Sequence, residues 1–144
     1  MSYCTQAHVQ GEFKDVTFST TTSVTDADIL RFIEEADAEI NSKIGCKYIV
    51  PIVGTTSLIL LRMVSVVLVS ERVKKILAIR TGDSNVDQDA MTDKEKVVRK
   101  MLDAIVTGDM ILSDATHSTS HEGVKSYTYE YDIEATFDVT KDQW

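Results

Sequence analysis

Apolar residues recur along this chain with two different periods, and the change of period divides it. From Thr25 to Gly45, Ile29, Ile33, Ala36, Ile40 and Ile44 follow one another at steps of three and four, with Phe32 widening the stripe. Glu34, Glu35, Asp37 and Glu39 fall mostly on its flanks and far side. This spacing predicts an amphipathic helix. Both its ends are signed: Thr25 suits the N-cap, Asp26 and Asp28 complement the positive end of the dipole, and Lys43 lies in the last turn before Gly45. A second long helix is expected from a Ser57 cap to about Arg80. From Leu58 to Val69 it is apolar nearly all round, the pattern of a helix surrounded by others. Its Val and Ile content would also suit a buried strand, but its length and the charged continuation from Glu71 to Arg80 favour helix. Thr92 and Glu95 form a capping box for a third helix, with Val98, Met101, Leu102 and Ile105 as its buried stripe and Gly108 as its stop.

The connections carry weaker signals. Thr5 can cap a short first helix through about Phe13, and Asp15 to Val24 reads as an extended loop or a short edge strand with Val16, Phe18 and Val24 on alternate positions. Cys46 to Val53 is an apolar connection around Tyr48 and Pro51, and Thr81 to Ala90 is a polar turn. Met110 to Leu112 forms a small anchor, followed by a polar stretch from Ser113 to Gly123 that reads as a linker.

The period then becomes two. From Ser126 to Val139, Tyr127, Tyr129, Tyr131, Ile133, Ala135, Phe137 and Val139 alternate with polar residues, among them Glu130, Asp132, Glu134 and Asp138. Fourteen such residues make a strand of roughly 45 Å, which needs a partner edge. No Gly, Pro or Asn folds it back on itself, so the partner is another chain or the Asp15–Val24 segment. Pairing would bury Tyr127, Tyr129, Tyr131, Ile133, Phe137 and Val139 and leave the acidic face outward, as a solvated surface or a negative wall. The fold class expected is therefore mainly α: a small helical bundle (1–114), a flexible linker (115–125) and a C-terminal β-strand arm (126–144).

Charge reinforces this division. Residues 1 to 102 hold 13 basic and 14 acidic side chains, whereas residues 103 to 144 hold 2 and 9, so most of the net charge of −8 belongs to the C-terminal third. That balance argues against an adhesive nucleic-acid surface, because Lys and Arg supply affinity for phosphates. Cys4 and Cys46, without a CxxC motif or a secretory signal, point to a reducing compartment. The apolar run from Tyr48 to Ser70 is split by Pro51 and Gly54 and holds Arg62 near its centre, at a cost of about 2.5 kcal/mol or more in a bilayer; a buried core helix is expected, and no membrane partner.

Sequence motifs of catalysis are missing: the chain has no P-loop, GxGxxG, GxSxG or HExxH. His117, His121 and Glu122 could share a metal only if their segment were helical, and HSTSHEG disfavours that. Cys46 lacks a neighbouring base and reads as packing. The expectation is a non-enzyme with no catalytic, cofactor or metal site.

One family resemblance is carried by Asp26 to Val53 (DADILRFIEEADAEINSKIGCKYIVPIV), an apolar helix after it, and VVRKMLDAIVTGDMIL. Together with Tyr3 to Thr5 before a short helix, this order resembles the connector proteins of tailed bacteriophages, called adaptor or head completion proteins. The likeness covers roughly Tyr3 to Asp114; Lys43, Asn41 and everything beyond Ala115 depart from it. It implies a virion protein made in the bacterial host cytoplasm. It further implies a ring, usually of twelve copies, beneath the portal protein, joined to the next connector or tail completion protein, with DNA passing through the lumen unbound. The strand arm would dock on a neighbour or on the portal. The alternative expectation is an acidic inhibitory or regulatory module acting by strand addition or nucleic-acid mimicry.

Overall fold

The computed structural model describes residues 1–82 and 90–118. Among them are four helices: α1 (Gln6–Gly11), α2 (Asp26–Ile44), α3 (Thr55–Arg80) and α4 (Asp93–Thr107). The last three pack mutually, and α1 lies against α2 and α3. The expected strand arm, with Tyr127, Tyr129, Tyr131, Ile133, Phe137 and Val139 and the acids Glu130, Asp132, Glu134 and Asp138, lies outside the described residues, as does the remainder of the linker from residue 119.

The α2 stripe packs as its spacing requires. Ile29, Ile40 and Ile44 are wholly buried and meet Leu61 and Val64 of α3 and Leu102 and Ile105 of α4 in one core. Thr25 caps α2, its hydroxyl accepting from the Asp28 N–H at 3.2 Å while the Asp28 carboxylate accepts from the Thr25 N–H at 3.0 Å. Asp37 departs from expectation: it is buried rather than on the solvated side. It collects the Ser2 hydroxyl, the Tyr3 N–H at 3.3 Å and the Ser65 hydroxyl at 3.3 Å, so a buried carboxylate supplied with donors fastens the N-terminus to α2 and α3.

The N-terminal connection resolves as a loop. α1 stops at Gly11, two residues short of Phe13, and the Gln10 side-chain amide takes over, donating to the carbonyls of Phe13 (3.1 Å) and Val16 (2.5 Å) and accepting from the Phe18 N–H. Those backbone groups are thus satisfied without a strand partner. Phe13 and Phe18 meet edge to face at 5.3 Å.

The start of α3 differs from the sequence expectation. The helix begins at Thr55, with Gly54 at the N-cap position and no side chain of its own to serve as cap. Ser57 lies in the first turn, and the cap comes from Asp114: its carboxylate accepts from the Thr56 N–H at 2.6 Å, the Ser57 N–H at 3.0 Å and the Ser57 hydroxyl. A Cβ on Gly54 would collide with that carboxylate, so glycine is what lets the two segments approach. The Thr92–Glu95 capping box of α4 forms as read, and Gly108 ends that helix at φ 97°, a left-handed conformation that suits glycine.

Candidate assembly surface

Half of α3 faces the core, through Leu61, Val64, Ser65, Leu68 and Val69. The other half turns apolar residues to solvent: Ile59 is 60% exposed and Met63 47%, with Val66 and Val67 half-buried beside them. Beyond this stripe, α4 contributes Val97, 57% exposed, and Met101, and an apolar groove runs between Met63, Val67, Val97, Val98 and Met101. The all-round apolar helix therefore lacks, within one chain's described residues, the surround that its composition predicts. An uncovered stripe of this kind marks an interaction surface. Sequence reading missed it as a site because burial by the chain itself was the natural expectation; the all-round pattern from Leu58 to Val69 was the available signal.

A second feature holds the three long helices in register. Between α2, α3 and α4 lies a cleft of about 490 Å³, lined by Phe32, Leu68 and a row of ion pairs. Arg72 of α3 bonds Glu35 of α2, Arg99 of α4 pairs with Glu39 of α2 at 3.2 Å, and Lys75 of α3 pairs with Glu95 of α4 at 2.8 Å. Glu95 feels two opposing influences. Burial pushes its carboxyl up, but the Lys75 ammonium and the Thr92 N–H, with Arg99 beyond, prevail and hold it below the usual range. Arg31 and Arg72 each lie 5.2 Å from the centre of the Phe32 ring.

The point at which the chain leaves the bundle is also built. Ile49 N–H donates to the Thr116 carbonyl at 2.9 Å, Ser118 N–H to the Lys47 carbonyl at 2.9 Å, and Tyr48 bridges His117 in antiparallel fashion. The Tyr48 and His117 rings lie 4.6 Å apart, and the Tyr48 hydroxyl accepts from the Leu112 N–H at 3.2 Å. Residues 112–118 are thus tied to the α2–α3 connection, and whatever follows Ser118 starts from that end of the bundle. Exposed Ile49, Val53 and Ile111 belong to the same connecting segments.

Of the sequence-derived metal candidate, one member, His117, lies among the described residues. His117 stacks on Tyr48, His121 and Glu122 fall outside the described residues, and no group of potential ligands occurs among the described ones. Cys46, read as packing, is exposed, its thiol donating to the Lys43 carbonyl at 3.2 Å, because the helix has ended and the chain turns outward there. Cys4 is the buried one: burial raises its thiol above the ordinary value, against a bond from the Ser65 hydroxyl at 3.2 Å. No helix among the described residues is long and apolar enough to cross a membrane.

Among curated proteins, none matches the chain. A family model does: the family described as Bacteriophage Mu, Gp36 matches residues 3–128, beginning at Tyr3 and continuing beyond Asp114. The match spans the whole bundle and the segment that leaves it, and the chain belongs to this family of phage proteins.

Proposed function

We propose that the chain is a structural head–tail connector subunit, assembled as a ring below the portal so that the DNA channel continues toward the tail. The observation that carries this reading is the uncovered apolar stripe of α3 in a chain of a phage family. A helix apolar on every side is stable when every side is covered, and a multi-copy assembly covers it in each subunit alike. Four interhelical ion pairs and the Asp114 clamp tie the helices to one another and to the segment after α4, which suits a subunit of a channel wall. In this reading the chain does no catalysis. The portal binds the C-terminal segment by strand addition, the next connector or tail completion protein binds below, and DNA passes without specific contacts.

Two measurements test this. Imaging of the assembled phage particle is expected to show copies of the chain between portal and tail, and its absence from that junction would refute the reading. Deleting residues 119–144 preserves the Asp114 cap and the Tyr48–His117 contact, so the bundle is expected to fold; portal attachment is expected to be lost. Undiminished attachment would remove the docking role from the segment.

A further inference from the structure

We propose that the α3–α4 face of one copy seats on the outer face of α2 of the next copy, head to tail. This assignment rests on the ring reading and names the two surfaces that make the ring. On α3 the anchors are Ile59 and Met63, with Val97 of α4 beside them. On α2 the outward stripe is Ala27, Leu30, Glu34 and Ala38, spaced three and four apart and all exposed, with Leu30 at 53%. Small alanines flank one large apolar side chain, so a neighbouring helix can approach closely there.

Charge favours α2 of another copy as the occupant, with Asp93, paired to Lys96, and Glu12 the acids that also line the α3–α4 face. α3 carries five bases and one acid, while α2 carries six acids and two bases. Several of these are satisfied internally, including Arg72 with Glu35 and Arg99 with Glu39. Among the described residues, Arg62, Lys94 and Lys100 have no acidic partner, and Glu34 has no basic one. All four are exposed. Two α3–α4 faces meeting as equals would oppose Arg62 and Lys94 to themselves, which is unfavourable; the same face against α2 meets the opposite sign. Different patches meeting from copy to copy make a heterologous contact, which closes into a ring when the rotation allows.

The experiment uses the full-length chain and native mass spectrometry, with Met63→Asp breaking one face and Leu30→Asp the other. Both positions are solvent-exposed, and circular dichroism checks that the helices persist. Wild type is expected to form a multiple of the 16.1 kDa chain and each variant alone a single copy. Mixed in equal amounts, the variants retain one intact face each and are expected to give a heterodimer that grows no further. Arg62→Glu and Glu34→Lys, which reverse a charge that is already present and leave the apolar side chains in place, are each expected to weaken assembly about tenfold. If Leu30→Asp and Glu34→Lys assemble like wild type, the α2 assignment is overturned while the ring reading stands. A wild type that stays single at every concentration, with and without its portal, overturns both.

Discussion

Replacing Glu95 with Gln is expected to loosen the α3–α4 junction by an amount that can be worked out in advance. Glu95 is 6% exposed, and its carboxylate accepts from the Thr92 N–H at 2.7 Å and from the Lys75 ammonium at 2.8 Å. Gln keeps an oxygen for the capping bond, so what goes is the charge opposite Lys75. That ammonium is 15% exposed and retains some water, which places the cost below that of breaking a fully buried pair and within the range for a hydrogen bond to a charged group, about 2 kcal/mol. For a domain of this size that is a fall in Tm of about 7 °C.

The pH dependence supplies a second, independent readout. Because the folded-state pKa of Glu95 is depressed, its stabilisation is complete above the ordinary Glu value and is lost as pH falls through the folded value. The gap between wild type and Glu95→Gln should therefore close on acidification. A double-mutant cycle with Lys75→Met isolates the pair, and a coupling of about 1 kcal/mol or more is expected from urea unfolding. A Glu95→Gln change within about 0.5 kcal/mol, or a gap that does not vary with pH, would refute the reasoning.

Other consequences follow from particular contacts. Ile105→Ala, at a wholly buried position, should cost about 2–5 kcal/mol in urea unfolding with an unchanged slope. Asp114→Ala should expose the first turn of α3, read as faster amide exchange at Thr56 and Ser57. The Ser57 hydroxyl foremost, with the amides of Thr56 and Ser57, holds the Asp114 carboxyl below its usual range; the protection it gives should fade as pH falls through that lowered value. Gly54→Ala should act on the same turn by pushing Asp114 away. A thiol reagent should titrate Cys46 in the native protein and Cys4 only after unfolding.

What was legible in the sequence was what one helix determines for itself. The α2 stripe, the Thr25 and Thr92 caps and the Gly108 stop each involve residues within a turn or two of each other, and all form as read. The misreadings are long-range. Asp37 looks solvated until Ser2, Tyr3 and Ser65 arrive from elsewhere, and Ser57 looks like a cap until Asp114, 57 residues further on, takes that place. The α3 pattern belongs with them in a more interesting way. Apolar residues on every side of Leu58 to Val69 required a surround, and the described residues of one chain supply it in part, through α1, α2 and α4. Leu61 and Ile59 are equally hydrophobic and two residues apart, yet one is wholly buried and the other 60% exposed. No periodicity could separate them, because a sequence records that a position must be covered and not which molecule covers it. Among the described residues, the stripe of Ile59, Met63 and Val66 is left without cover by the helices packed around it, and the proposal that a second copy covers it is what Met63→Asp and Leu30→Asp test.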